Sequence, residues 1–271
     1  MKKYYGFTVI FLCILLLAFS TCVTNPLTGK STMAIVSNDE LFPMSFQQYG
    51  EFLSDNKVVS GTPEAEMINR VGNNLRIAAE KWLASEGQSH YLDGYSWEFN
   101  LIESDDVNAW CMPGGKIVFY TGILPITQNE DGVAVVMGHE IAHALLNHGQ
   151  QRMSGEAVRQ GGSIVLCIGT SILFGNAAVQ AGVMTVYDVG STVFGTLPFS
   201  RDHESEADQY GLILMTIAGY NPDESIPFWQ RMSAGGGNTP EFLSTHPSDA
   251  TRIRQLQGWI PEARERAAQI R

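Results

Sequence analysis

Positive charge is scarce in this chain of 271 residues, which has 17 Lys and Arg against 28 Asp and Glu and a formal net charge of −11 at pH 7. Lys2 and Lys3 precede an apolar run over residues 9–19, a pattern that is typical of an export signal. Removal of residues 1–21 as a signal peptide takes away two Lys and no acidic residue, so the formal charge falls to −13. An acidic mature protein lacks the basic surface that binds phosphate backbones, and we expect no nucleic-acid partner.

Cysteine is also rare, with four residues in the chain. Cys13 lies inside the apolar run and would be removed with it, whereas Cys22 follows the predicted signal peptide directly. Cys22 is either the lipidated first residue of a bacterial lipoprotein or an incidental residue after an ordinary signal peptide or anchor. Cys111 and Cys167 are too few for a disulfide framework, and two free, buried thiols are a better expectation than one disulfide in an oxidising periplasm.

The mature chain also lacks a clean membrane-spanning run. Residues 161–198 are mostly apolar and carry no charge before Asp188, but Gly169, Gly175, Gly182, Asn176 and Gln180 interrupt them. We therefore expect buried or membrane-surface helices here rather than a transmembrane helix. No internal repeat and no clear second domain can be seen.

The most informative stretch is His139-Glu140-Ile141-Ala142-His143, in which two imidazoles lie four residues apart with a carboxylate beside the first. Positions i and i+4 share one face of an α-helix, so both rings can bind one metal ion, and Glu140 can take a proton from a metal-bound water. An apolar pattern predicts that this helix starts after residues 129–131 and ends at Gly149. Burial of these polar groups is costly unless something satisfies them, which favours a metal site.

A zinc hydrolase needs a third protein ligand, and residues 204–208 offer the best candidate. Glu204 and Asp208 lie four apart on a helix predicted over 204–218, so Glu204 can bind the metal while Asp208 accepts the second ring N–H of a histidine ligand. A solvated acidic helix start is the alternative for this segment, but the upstream motif favours the ligand. We expect Glu206 on another side of the helix and His203 at the surface or at the helix entry, although His203 stays open as a ligand.

The remaining elements are predicted from apolar spacing, β-branched runs and turn residues. They are helices over 38–54, 63–85, 223–232 and 247–257, and strands over 97–102 and 116–120 with a Pro-Gly-Gly turn between them.

Residues 138–143 followed by 204–208 resemble the M48 family of zinc metallopeptidases, the gluzincins in which HExxH precedes a distant ExxxD. Other segments are similar to the family as well, and the likeness runs from about residue 22 to 258. They are Asn108-Ala109-Trp110 with 113–115 and 120–122, residues 147–152, residues 244–247 with Arg252 and Ile253, and residues 22–30, which resemble the mature start of the exported lipoprotein members. No tetratricopeptide tail follows and no set of membrane helices flanks the motif, so the resemblance is to the small, single-domain lipoprotein branch.

The resemblance implies an α+β, mostly helical, zincin-like domain with a small β-sheet and an active-site helix. It divides the chain into a signal peptide of lipoprotein type (1–21), an N-terminal tether and helix (22–60) and a peptidase domain (61–271). It also favours lipidation of Cys22, hence an exported, periplasmic protein that a lipid anchor attaches to an envelope membrane.

The resemblance further implies one zinc ion per chain, held by His139, His143 and Glu204, with Glu140 as general base. It places His246 over the metal, where His246 either stabilises the oxyanion or fills the fourth zinc position in a resting state, an ordinary loop histidine being the alternative. The strand around Asn108, Ala109 and Trp110 is expected to pair with an extended protein or peptide substrate, because strand pairing binds backbone with little sequence selectivity.

Three functions are compatible with these residues. The resemblance favours a zinc endopeptidase that cleaves envelope proteins, misfolded or damaged ones among them. A zinc-dependent binding or chaperone-like module of the envelope is the alternative, but a pure binder has no need of Glu140 beside the metal. A membrane-embedded processing peptidase is the third function. Whether residues 161–198 lie in the membrane decides between it and the other two.

Overall fold

A computed structural model of the protein describes residues 22–159, 199–234, 241–246 and 251–270. The predicted signal peptide at 1–21, the apolar segment at 161–198 and Cys167 lie outside these residues. The strands are β1 (Cys22–Thr24), β2 (Ser31–Met33), β3 (Val58–Val59), β4 (Glu98–Ile102), β5 (Ala109–Met112) and β6 (Lys116–Tyr120). The α-helices are α1 (Asn38–Asp55), α2 (Pro63–Ser85), α3 (Leu124–Thr127), α4 (Glu130–Leu145), α5 (His148–Arg159), α6 (Arg201–Ile217), α7 (Ser225–Ala234), α8 (Glu241–Thr245) and α9 (Arg252–Ile270).

Several helices begin where their capping residues predict. The Thr62 side chain accepts a hydrogen bond from the backbone N–H of Ala65, and Pro63 occupies the first turn of α2, where a missing N–H costs nothing. At the start of α6 the Ser200 side chain caps the backbone N–H of His203 in the same way. Because these caps are local, the predicted bounds of α2 coincide with the observed ones, Pro63–Ser85.

Four strands form the larger sheet, in the order β3-β4-β6-β5. Strands β4 and β6 run parallel, with Phe99 opposite Ile117, whereas β5 runs antiparallel to β6, with Ala109 opposite Phe119. In this sheet β5 pairs with β6 alone, so its other edge carries backbone groups without a strand partner among the described residues. The tight turn between β5 and β6 depends on Gly115, whose φ is +87° and whose missing Cβ leaves room for the Trp97 ring.

The core lies between α4 and the surrounding elements, so α4 is a central helix without a solvent-exposed face. Every residue from Gly132 to Leu145 is buried, including the three polar residues of the metal-binding motif. Apolar side chains from α2, α6, α7 and α9 pack against it or against one another. They include Ile68, Leu75, Trp82, Val133, Met137, Ile141, Leu212, Met215, Phe228, Trp229, Leu256 and Ile260.

Two helices end four or more residues from the position that the sequence predicts. Helix α4 ends at Leu145 rather than at Gly149, because Asn147 adopts a left-handed backbone conformation with φ +56° and turns the chain into α5. Helix α9 continues to Ile270, well beyond the predicted end at residue 257, because Leu256, Ile260, Ala263 and Ala267 keep one face of it buried.

The mostly helical α+β, zincin-like fold class is confirmed. The division at residues 22, 60 and 61 stays a prediction. Within the described ranges, no helix combines the length and the apolar character that crossing a membrane requires.

Candidate active site

Helices α4 and α6 carry the two predicted motifs and cross at a pair of glycines. A Cβ atom at Gly138 would lie 2.8 Å from the Gly211 carbonyl oxygen, and one at Gly211 would lie 2.8 Å from the Gly138 carbonyl carbon. Both distances are shorter than any ordinary contact with backbone, so the two helix backbones touch at this point. The crossing brings His139, the residue after Gly138, up to the ligand-bearing face of α6.

Four buried residues place possible metal-binding atoms within 4.8 Å of one another: His139, His143, Glu204 and His246. The Nε2 atoms of His139 and His143 are 3.0 Å apart, and His143 Nε2 lies 3.3 Å from Glu204 Oε1. His246 Nδ1 is 3.2 Å from His139 Nε2 and 3.0 Å from Glu204 Oε1. The three predicted ligands and His246 therefore converge on one point.

The donor set and its spacing fit a zinc ion. Ligand atoms at the corners of a zinc tetrahedron with bonds of about 2.0–2.1 Å lie about 3.3–3.4 Å apart. Five of the six pairs among the four groups are 3.0 to 3.6 Å apart, the longest from His139 Nε2 to Glu204 Oε2, and all the candidate ligand atoms lie within 4.8 Å of one another. Three imidazole nitrogens and one carboxylate are also the ligand types that zinc prefers. These four residues can hold one metal ion, although the metal's identity stays a proposal.

Glu140 lies beside the four donors, is fully buried and turns one carboxylate oxygen towards His246. Its Oε1 atom is 3.4 Å from His246 Nε2 and makes no hydrogen bond to any of the residues described. Burial raises the pKa of Glu140 above its usual value, and the neighbouring His246 and His139 partly oppose that rise. A carboxylate with a raised pKa and an unused oxygen is suited to accept and return a proton.

Burial affects the ligand side chains in opposite directions. It lowers the pKa of His143 well below the usual value, which favours the neutral imidazole that metal binding requires. For Glu204 burial acts to raise the pKa, but His246 and His139 outweigh it and hold the pKa well below the usual value. Glu204 therefore remains an anion inside the core.

The remaining nitrogen of His139 is held by Asp208, as the spacing of the second motif predicts. His139 Nδ1 lies 2.9 Å from Asp208 Oδ1, and both side chains are buried. Arg252 of α9 donates two hydrogen bonds of 2.6 Å to the same carboxylate, from Nε to Oδ2 and from Nη2 to Oδ1. Its guanidinium lies 3.4 Å above the Trp229 ring. Asp208 therefore connects the metal site to the far end of the described chain.

A second contact of this kind was not predicted from the sequence. His143 Nδ1 lies 2.9 Å from His148 Nδ1, and His148 Nε2 lies 3.1 Å from Glu206 Oε2. Glu206 lies on a different face of α6 from the ligand Glu204, as expected, and also forms an ion pair with Lys30. His148 is five residues beyond His143, a spacing that would face away on a continuous helix. The left-handed backbone at Asn147 turns the chain so that His148 faces His143. In the sequence, only the Asn-His pair after the motif could have indicated this turn.

His203 lies outside the group of possible metal ligands. Its ring stacks on His148 at a centroid distance of 4.3 Å, and its Nε2 lies 3.3 Å from Gln151 Oε1. Burial lowers the pKa of His203 to about 4. It stands at the entry to α6, where the sequence places it.

Aromatic rings cover the metal site on the side of His143 and His246. Phe199 stacks on His143 at a centroid distance of 3.9 Å, and Phe242 stacks on His246 at 4.5 Å. The backbone N–H of Phe199 donates to the Thr245 carbonyl, which joins the segment before α6 to the loop that carries His246. The sequence offered no signal for Phe199 as part of the site.

The predicted substrate strand runs close to Glu140. Ala109 and Trp110 belong to β5 and Asn108 precedes it, while the backbone of Cys111 lies close enough to hydrogen-bond the Glu140 carboxylate. Asn108 is buried, and its side-chain oxygen accepts the N–H of Ala109. The unpaired edge of β5 is therefore beside the candidate base.

Cys22, the predicted lipidation residue, begins β1 and is exposed. The β1–β2 hairpin contacts the body through Asn25, whose amide donates to the carbonyl of Leu145 at the end of α4. Lipidation stays a prediction.

Comparison with known proteins gives a consistent result. The family model described as Peptidase family M48 matches residues 73–260. The chain is 36% identical over 183 residues to the mitochondrial metalloendopeptidase OMA1 of Saccharomyces cerevisiae, covering 64% of this chain and 50% of that protein. It is 32% identical over 246 residues to OMA1 of Schizosaccharomyces pombe, with 88% and 66% covered. It is 30% identical over 179 residues to the beta-barrel assembly-enhancing protease of Escherichia coli O157:H7, with 65% and 35% covered. The chain thus spans between about a third and two thirds of the length of these relatives.

Proposed function

The chain belongs to peptidase family M48, and on that basis we propose that it is a zinc-dependent endopeptidase of a bacterial cell envelope. The observation that carries this proposal is the buried group of His139, His143, Glu204 and His246 with Glu140 beside it. Relatives named as metalloendopeptidases and as a beta-barrel assembly-enhancing protease support protein substrates. Misfolded or damaged envelope proteins are the class that we propose.

The proposed reaction is hydrolysis of a peptide bond by water. When bound by His139, His143 and Glu204, zinc supplies a Lewis acid that polarises the scissile carbonyl and acidifies water. Glu140 takes a proton from the attacking water and returns it to the leaving amine, a task suited to its raised pKa and its unused oxygen. Asp208 holds His139 in one orientation through the 2.9 Å contact to Nδ1.

His246 supports the reaction in one of the two ways that the sequence suggests. Its Nδ1 is 3.0 Å from Glu204 Oε1, which suits a fourth ligand in a resting state. Its Nε2 faces Glu140 at 3.4 Å, which suits a hydrogen-bond donor to the oxyanion once the ring has moved from the ligand position. A metal ligand requires a neutral imidazole, and a donor to the oxyanion requires a ring N–H. Both roles require the imidazole to lie at the centre of the site, and neither suits a solvent-facing loop residue.

Substrate binding is proposed at the free edge of β5. An extended peptide can add to this edge through backbone hydrogen bonds and thereby lie along the strand that runs beside Glu140. Asn108, Ala109 and Trp110 would form the substrate-binding strand. Such binding tolerates many sequences, which agrees with unfolded rather than sequence-specific substrates.

The cellular setting that we propose is the periplasm, with Cys22 as a lipid anchor. The charged start and apolar run before Cys22, and the exposure of Cys22 itself, support this proposal. Globomycin treatment of expressing cells, which blocks cleavage of lipoprotein signals, should then cause the precursor to accumulate. Normal processing of the wild-type chain in the presence of globomycin would contradict lipidation. Unchanged membrane association of a Cys22→Ser variant would contradict it as well.

One experiment tests the reaction and separates it from the chaperone-like alternative. The purified chain is analysed for zinc and incubated with casein, beside a Glu140→Gln variant that keeps the size of the side chain. We expect about one zinc per chain in both proteins and cleavage only by the wild type. Equal cleavage by both would remove Glu140 as the base. Zinc binding with client capture but no cleavage by the wild type would favour the binding module.

A further inference from the structure

A chain of hydrogen bonds extends from the metal site through His143 to the N-terminal segment. It consists of His143, His148, Glu206 and Lys30, in that order. His148 is fully buried, Glu206 is half-buried and Lys30 is exposed, so the chain of contacts runs from the core to the surface.

The donor and acceptor roles along this chain follow from the metal site. His143 turns Nε2 towards His139 and Glu204, so the lone pair of Nε2 is the one available to a metal ion. A neutral imidazole has one ring hydrogen, which must then sit on Nδ1 of His143. At 2.9 Å, this hydrogen is donated to Nδ1 of His148.

The position of the ring hydrogen on His148 follows in turn. Because its Nδ1 accepts, its own hydrogen must sit on Nε2, where Glu206 Oε2 lies at 3.1 Å and accepts it. The second oxygen of Glu206 is paired with the Lys30 ammonium. Every polar atom between His143 and Lys30 thus has a complementary partner, and no group has to change its protonation.

We propose that His148 is a positioning residue for the metal ligand His143, with Glu206 as the carboxylate that orients it. This inference rests on the proposed zinc site. The first motif histidine, His139, has a direct carboxylate partner in Asp208. The second has a relayed one, in which an imidazole spans the distance between ligand and carboxylate. Groups that hold the second nitrogen of a histidine ligand fix its tautomer and ring orientation and raise its basicity.

The test is zinc affinity, measured by competition with a chromophoric chelator on the full-length protein without substrate. His148→Phe keeps the ring and its packing but removes the acceptor, and we expect its zinc Kd to rise about 10–100-fold. His148→Gln can accept from His143 and donate to Glu206, and we expect it to restore most of the affinity. Glu206→Ala should weaken zinc binding less than His148→Phe, because His148 remains in place.

Matched controls separate positioning from packing and from charge. His203→Phe replaces a ring that stacks on His148 and whose own side-chain hydrogen bond goes to Gln151, and Asp202→Ala removes an exposed carboxylate from the same helix turn. Both should keep the zinc Kd within about twofold of the wild type. The melting temperature of each metal-free protein checks that the fold is intact.

Two results would overturn the proposal. One is a zinc Kd for His148→Phe or Glu206→Ala that matches its control. The other is an equal loss of affinity in His148→Phe and His203→Phe. Failure of the proposed peptidase activity would look different, because it would leave the order of these zinc affinities unchanged while casein remained uncut.

Discussion

The buried contact between Arg252 and Asp208 should account for a large part of the stability of the site. Two hydrogen bonds of 2.6 Å join the side chains, which expose only 4% and 5% of their surfaces. Replacement of Arg252 by Met keeps an unbranched side chain but removes the guanidinium, which leaves the Asp208 carboxylate without its cationic partner and the Trp229 ring without the group above it. Removal of one member of a buried ion pair costs about 3–5 kcal/mol in the free energy of unfolding, because the other charge stays buried.

The assay is unfolding of the zinc-loaded protein, followed by tryptophan fluorescence. A loss of that size lowers the melting temperature by roughly 6–20 °C in a chain of this length. The control is Arg254→Met, an exposed position two residues along α9, where a change within about 0.5 kcal/mol is expected. The double variant Arg252→Met with Asp208→Asn no longer buries the Asp208 charge, so it should lose less than the two single losses together.

A free energy of unfolding for Arg252→Met within about 1 kcal/mol of that for Arg254→Met would refute this prediction. That outcome would mean that the Asp208 carboxylate finds other compensation, or that the metal-bound His139 is sufficient to hold it. Asp208 would then still be the partner of His139, but Arg252 would have no role in stabilising the site.

Three further predictions concern the site itself. Glu204→Ala removes one of the four donors and should lose zinc on dialysis, whereas unchanged metal content would move the third ligand elsewhere; Asp202→Ala, at an exposed position, is the matched change on the same helix. His246→Ala should lower casein turnover more than it lowers zinc content, and an equal loss of both would make His246 a structural ligand. Gly211→Ala should destabilise the fold by about 1–3 kcal/mol and weaken zinc binding, because its Cβ would press on the backbone of Gly138; a wild-type melting temperature would show that the helices can separate freely.

The features that the sequence predicts well are those encoded within one segment. The caps of α2, the period of its apolar residues and the i,i+4 spacing within each motif all depend on neighbours along the chain. The donor residues of two motifs 65 positions apart, His139 and Glu204, meet in the structure, as a three-ligand zinc site requires. Their roles in binding and catalysis stay predictions until zinc and activity are measured.

The features that the sequence does not reveal depend on how distant segments pack. The match between Arg252 and Asp208 requires α9 to lie beside α6, and no local pattern states this. The contact of His148 with His143 could not be predicted without the turn at Asn147. The left-handed backbone there places His148 on the opposite face from the one that a continuous helix would give it. Phe199 covers His143 from a segment whose own sequence has no motif.

The glycine crossing of α4 and α6 has a mechanical consequence for the metal site. Because the two backbones are already in contact at Gly138 and Gly211, the helices can be spread apart but cannot be pushed closer. The separation of the two helix backbones that carry His139 and Glu204 therefore has a lower limit, set by the contact between Gly138 and Gly211. Any loosening of the core acts in one direction only, towards longer ligand distances. Two residues without side chains thus set the closest approach of the helices that carry His139 and Glu204.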